Sequence, residues 1–248
     1  MPRAARVKSS SGIYHVMLRG INHQQIFEED EDYDKFIETV SDCKKVSDFK
    51  LYAYCLMGNH VHLLIQVADE EPGQIFKRIG SRYVYWYNWK YGRTGHLFQD
   101  RFKSEPVEND EYFLAVLRYI HQNPVKAGLV DSVDAYKWSS YSEYIGKRYL
   151  TDSTDVVQAI GLDEFIEYTN EANNDMFLES AAPRINDNEA KRIMKQLSGY
   201  DTVVEFQKLD IQTRNRYVKA MQDNGLSIRQ ISRLTGVSKA LVEKACGA

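Results

Sequence analysis

Cysteine is scarce: Cys43, Cys55 and Cys246 are three in number, far apart and without a CxxC spacing. An odd, scattered set excludes a disulfide framework and a cysteine zinc site, and it fits a reducing cytoplasm. No run of about eighteen apolar residues occurs, so no membrane-spanning helix and no membrane partner are expected. The basic, polar N-terminus lacks an apolar stretch, so no secretory signal is expected. Acid is missing from the first 27 residues, which carry Arg3, Arg6, Lys8 and Arg19. What is present is ordinary for a globular chain. Across 248 residues, 43% are hydrophobic and 27% charged, enough for one large domain or a medium and a small one. The 17 tyrosines are a surplus.

The net charge of -3 conceals an asymmetry. Residues 1–148 are neutral overall, residues 149–190 carry net -9, and residues 191–248 carry net +6. Polyanion binding is therefore expected locally, at the C-terminal segment and beside the N-terminal arm. The acidic stretch 149–190 reads as a solvated linker.

Hydrophobic periodicity organises the first part. Residues 12–19 alternate and predict a strand. Residues 30–46 carry Tyr33, Phe36, Ile37 and Val40 at helical spacing behind an acidic first turn. Residues 49–56 and 60–67 predict two strands joined by a tight turn at Gly58-Asn59. Residues 75–91 predict a helix, 97–103 a short strand, and 110–122 a helix stopped by Pro124. The order β-α-β-β-α-β then helix is that of an α+β, ferredoxin-like (RRM-like) antiparallel sheet. Helices cover one face and the other is open.

Asn59-His60-Val61-His62 is the sharpest local signal. Side chains alternate on a strand, so His60 and His62 share a face while Val61, Leu63 and Ile65 take the other. The apolar set belongs under the helices, which leaves both imidazoles on the open face, where they can converge on one divalent ion. Tyr119 and Asn123 lie four apart on the last helix and share a side. A carboxamide oxygen from Asn123 would complete a two-nitrogen, one-oxygen set, which suits Mg²⁺ or Mn²⁺ better than a closed zinc site. A phenol with a pKa near 10 is a poor nucleophile. Beside a metal that polarises a phosphate, the Tyr119 phenol becomes a usable one. His121 points away from Tyr119 and reads as structural.

These residues resemble the histidine-hydrophobe-histidine (HUH) single-tyrosine transposases. Within them the chain is most similar to the REP-associated tyrosine transposases and other insertion-sequence-200-like proteins. The resemblance rests on His60-Val61-His62, on the stretch from Tyr119 through Asn123 and Pro124 to Val130, and on residues 12–20, 57–62 and 95–104. It covers residues 1–146 and implies a metal-dependent transposase. Such an enzyme cleaves and rejoins single-stranded DNA near hairpins through a 5′-phosphotyrosine, without ATP, which agrees with the absence of a GxxxxGK[ST] loop. It also implies Tyr119 as nucleophile, with His60, His62 and Asn123 as metal ligands; the family commonly has glutamine at the last position. His15 and Arg19 share the strand face expected to carry the metal, and Arg101 and Lys103 lie on the next strand. All four are expected at DNA. Of Tyr83, Tyr85, Trp86, Tyr87 and Trp89, some are expected to stack on bases and most to be core.

Residues 225–245 read as a helix-turn-helix: Ser227 caps one helix, Gly236 makes the turn and Ser238 caps the second. Ile228, Ile231 and Leu234, then Leu241, Val242 and Ala245, face inward. Arg229, Arg233, Lys239 and Lys244 stay outside, where the local +6 favours DNA, including duplex. The expected organisation is thus a catalytic domain at 1–148, an acidic helical linker at 149–190 and a DNA-binding module at 191–248, in a monomer or homodimer. A non-catalytic DNA-binding regulator derived from a transposase is the alternative. A histidine-triad phosphohydrolase would need a third alternating histidine, and position 64 is leucine.

Overall fold

A computed structural model of the chain describes residues 7–99, 101–146, 149–175, 177–178, 187–200 and 202–246. Arg3 and Arg6 of the basic arm lie outside them. The chain divides into two compact units, Met1–Leu178 and Glu179–Ala248. Among the described residues no helix is long and apolar enough to cross a membrane.

In the first unit β1 (Ile13–Arg19), β2 (Lys50–Met57), β3 (His60–Gln66) and β4 (Lys103–Pro106) form one antiparallel sheet in the order β2-β3-β1-β4. Helix α1 (Asp30–Ser47) runs between β1 and β2, and α2 (Pro72–Lys90) between β3 and β4. Asp32 accepts the Glu28 and Glu29 backbone N–H groups and fixes the start of α1. Gly20 follows β1 where a Cβ would run into the Gln24 carbonyl oxygen, so only glycine lets the chain turn there. One face of the sheet sends Val16, Leu18, Leu56, Val61, Leu63 and Ile65 against Phe36 and Val40 of α1 and Ile75 and Ile79 of α2.

The other face is not open, contrary to the sequence reading. Helix α3 (Asp110–Lys126) lies across β2 and β3, packing Val116, Leu117 and Ile120 on Ala53, Cys55, Met57 and Leu64. The physical reason is visible in β2, whose residues 51–57 are buried on both faces and almost continuously apolar. That pattern marks a strand covered on both sides rather than one facing water. Two further differences concern ends. Beta pairing of the fourth strand begins at Lys103, because Leu97 is buried in the core and Phe98 makes only an isolated bridge to Gly20. Helix α3 does not stop at Pro124 but carries it inside. The stop is Gly128, at φ +67°, where Gly128 N–H donates to Val125 O and Leu129 N–H to Pro124 O.

Helices α4 (Tyr141–Tyr144), α5 (Ser153–Ile160) and α6 (Leu162–Asn170) add a third layer behind α3, with Tyr141, Tyr144, Val156 and Phe165 buried. Residues 149–178, expected to be linker, therefore belong to the first unit, because α5 and α6 carry apolar faces that need α3 and α4. The second unit holds α7 (Asp187–Ser198), α8 (Val203–Gln207), α9 (Ile211–Asp223), α10 (Ile228–Thr235) and α11 (Lys239–Cys246) around Met194, Phe206, Met221, Ile231 and Val242.

Candidate active site

The strand register assembles the site. In the β1–β3 ladder His62 lies opposite Met17, His60 opposite Arg19 and Leu64 opposite His15. Alternation puts His15, Met17 and Arg19 on the same face as His60 and His62, beneath α3. His62 is fully buried and His60 nearly so, with ring centroids 5.0 Å apart.

Each ring has its Nδ1 committed to a neighbour. His60 Nδ1 lies 2.6 Å from Asn59 Oδ1, an acceptor, so this nitrogen carries the proton. His62 Nδ1 lies 3.0 Å from His15 Nε2. Hydrogen bonds at Nδ1 fix ring orientation and direct Nε2 toward a ligand, as in metal-binding histidines with a protein partner behind them. The structure places His15 as that partner, fully buried.

Tyr119 meets these rings. Its ring lies edge-on to His62 at 5.5 Å and to His15 at 5.9 Å between centroids. The helical turn that separates Tyr119 from Asn123 puts Asn123 on the same buried side of α3. The helix running through Pro124 keeps Asn123 in helical geometry. Among the described residues no group of three or more His, Cys, Asp or Glu side chains is arranged to hold a metal. The donor set suited to a cation here is two imidazoles with neutral oxygens, which His60, His62 and Asn123 have the chemistry to supply. His121 sits on the far side of α3 against Tyr141, Tyr144 and Phe165, with Nε2 2.9 Å from Ser140 Oγ. Burial pushes its pKa down to about 3, so it stays neutral and structural.

Of the other residues expected at DNA, Arg19 is half-buried on the site face, and Arg101 and Lys103 are exposed. Lys103 lies opposite Met17 and its Nζ donates to Leu178 O. On α2, Tyr83 and Tyr87 are core, whereas Tyr85 and Trp89 are exposed.

Three participants escaped the sequence reading. Phe177 packs edge-on against Tyr119 at 5.2 Å and against His15 at 6.3 Å. Lys126 holds its ammonium 5.5 Å from the Tyr119 ring centroid, and burial draws its pKa below the usual lysine range. Arg118 binds Asp175 at 2.8 Å and Glu171 at 3.1 Å. For the two cations a signal existed, since Arg118 and Lys126 flank Tyr119 on one helix. For Phe177 none did.

In the second unit Ser227 and Gln230 form a reciprocal cap at the start of α10, and Gly236 turns at φ +69° before α11. Arg229, Arg233, Lys239 and Lys244 are exposed, and Lys239 pairs with Glu243. Leu241, expected inward, is exposed, and Val242 takes the core position.

Residues 8–123 match the model of the IS200-like transposases. A Haemophilus influenzae protein named as a REP-associated tyrosine transposase is 29% identical over 105 residues, 38% of this chain, which spans 59% of that relative's length. A solved structure of a REP-associated tyrosine transposase bound to a REP hairpin superposes with a TM-score of 0.55 at 19% identity, covering 75% of this chain and 99% of that one. At that identity the likeness speaks for the fold. The stretch similar to the IS200-like transposases, residues 8–123, carries His15, His60, His62, Tyr119 and Asn123.

Proposed function

We propose that the first unit is a ferredoxin-like catalytic domain that cleaves and rejoins single-stranded DNA near hairpins, with Tyr119 as nucleophile, and that the second is a helix-turn-helix module that binds DNA. The observation that carries the reading is the convergence of the Tyr119 ring on His62 and His15 from a different element of the fold.

His60 and His62 would hold a divalent cation through Nε2, with Asn123 as the oxygen donor. Such a cation, Mg²⁺ or Mn²⁺, supplies Lewis-acid polarisation of the scissile phosphate. His15 and Asn59 fix the two ligand rings. The Tyr119 oxygen attacks phosphorus and loses its proton. The P–O3′ bond breaks, O3′ takes up a proton as a free hydroxyl, and the phosphate stays on the tyrosine as a 5′ ester. Attack of a 3′ hydroxyl on that ester forms the new phosphodiester and restores the phenol, so the bond energy is conserved and no ATP is consumed. Arg19, Arg101 and Lys103 would take DNA phosphates beside the site. Arg229, Arg233, Lys239 and Lys244 would do so on the second unit.

The test is a labelled single-stranded hairpin incubated with the protein and Mn²⁺ or Mg²⁺. A protein–DNA adduct that survives denaturation is expected, and Tyr119→Phe should abolish it while leaving the melting temperature near that of the wild type. Adduct formation by Tyr119→Phe would remove Tyr119 from its role. Tight binding with no adduct under either metal would favour the regulator reading.

A further inference from the structure

Asn59 joins the histidine site to a backbone turn outside it. It lies in the hairpin turn before β3, with its carboxamide between His60 Nδ1 and the backbone carbonyl of His23. A carbonyl oxygen only accepts, so the atom that meets it at 3.3 Å is the amide nitrogen. The His23 carbonyl thereby fixes the sense of the whole carboxamide and turns Oδ1 onto His60 at 2.6 Å. Facing an acceptor, His60 Nδ1 carries the proton, and the lone pair that can bind a cation lies on Nε2. With the carboxamide turned over, an NH₂ group would face Nδ1 and favour the other tautomer, whose Nε2 bears a hydrogen and cannot ligate.

The His23 carbonyl stands where it does because of an unusual backbone. Asn22 at φ +52° and His23 at φ +60° are consecutive non-glycine residues in the left-handed region. Asn and His tolerate that region better than most residues. Two in succession persist only where their surroundings hold them, a kind of strain that gathers at functional sites. The holding contacts come from two sides. Gly20 N–H donates to Asn59 O and Ile26 N–H to Gly58 O, each at 2.8 Å, which ties both ends of the turn to the hairpin. Opposite them, Ile21 N–H and the Gln24 side chain donate to Leu97 O, and Arg93 donates to Gln24 Oε1. Asn22 itself is exposed, so a substitution there acts chiefly through the backbone.

We propose that the left-handed turn at Asn22-His23 is a positioning element of the metal site. Through the His23 carbonyl it locks the Asn59 carboxamide, and Asn59 so locked sets the His60 tautomer that offers Nε2 to a divalent cation. This role rests on the reading of His60 and His62 as ligands. It explains why the contact between Asn59 and His60 has one sense rather than two, and it places the cause 36 residues earlier in the chain than Asn59.

The test uses the full chain, with Mn²⁺ binding by calorimetry and nitrogen-15 NMR of the histidine rings in the metal-free protein. In wild type, His60 should show a protonated Nδ1 and an unprotonated Nε2. Asn22→Val puts a β-branched residue where φ must be positive. It should mix the two His60 tautomers and weaken Mn²⁺ binding about tenfold, the lower end of the usual loss when the group behind a ligating histidine is disturbed. Asn22→Gly, which adopts positive φ freely, should keep both readouts at wild type. Asn59→Asp presents an acceptor to His60 with either oxygen and no longer needs the carbonyl. In that background Asn22→Val should change the affinity by less than about twofold.

A wild-type His60 protonated at Nε2 overturns the positioning role while the metal reading stands, and this measurement holds even if Asn22→Val folds poorly. A folded Asn22→Val with unchanged tautomer and affinity overturns it as well. So does an equal loss in both backgrounds, since the turn would then act otherwise than through Asn59. Absence of Mn²⁺ binding by the wild type removes the metal reading and the positioning role with it.

Discussion

On one face of the sheet Val16, Leu63 and Ile65 meet α1 and α2 in an apolar layer; on the other, His15, His60 and His62 lie beneath α3 beside Leu64 and Met57. Both faces are buried, and the same strands supply both. They differ in what alternation delivers. On β3 the odd residues Val61, Leu63 and Ile65 are uniformly apolar, so their face needs only helices of complementary shape. The even residues include two imidazoles, which tolerate burial only with hydrogen-bond partners. Asn59 and His15 meet that demand. One face holds the fold together, then, and the other spends part of its burial on an ordered polar cluster against a helix that carries a tyrosine.

The comparison can be broken at several depths. The largest stability effect is expected on the apolar face. Phe36 is fully buried and edge-on to Phe27 and Tyr83, and Phe36→Ala should cost about 3–5 kcal/mol in chemical denaturation. A loss below about 1 kcal/mol would show that this layer is not the principal core. On the polar face His15→Phe keeps an aromatic ring at this position and removes the partner of His62 Nδ1. Manganese binding measured by calorimetry should weaken about 10- to 100-fold, the usual loss when the group behind a ligating histidine is removed. Unfolding should shift by only about 1–3 kcal/mol for the stranded nitrogen. Metal affinity equal to wild type would deny His15 its positioning role.

The smallest effect concerns the layer behind α3. His121 is held neutral with a pKa of about 3, below the value of about 6.5 expected in the unfolded chain. Between these values the unfolded chain binds the extra proton, so stability present above pH 6.5 is lost as pH falls. From pH 6.5 to 5, His121 should contribute a slope approaching about 1.4 kcal/mol per pH unit at the acid end, and His121→Leu should flatten it. Denaturation curves of the two proteins across that window check this. Parallel slopes would mean that His121 gains a partner for its charged form.

Local pattern alone was enough for a large part of this protein. Alternation and helical spacing located three strands and three helices to within a few residues. They also placed His60 and His62 on one face and Tyr119 with Asn123 on one side of a helix, because these are consequences of periods of two and 3.6. The reciprocal cap at Ser227 and the glycine at 236 are equally local. Tertiary structure decided what those periods leave undefined. Whether the histidine face met water or α3 depended on packing between distant segments. So did the pairing of His15 with His62, 47 residues apart, and the docking of Phe177 on Tyr119. The acidic stretch shows the limit best: its charge reads as solvated linker, yet its apolar residues fold back to build a layer and its carboxylates find Arg118. Burial and long-range pairing depend on which surfaces meet, and a one-dimensional pattern records only which surfaces a segment has to offer.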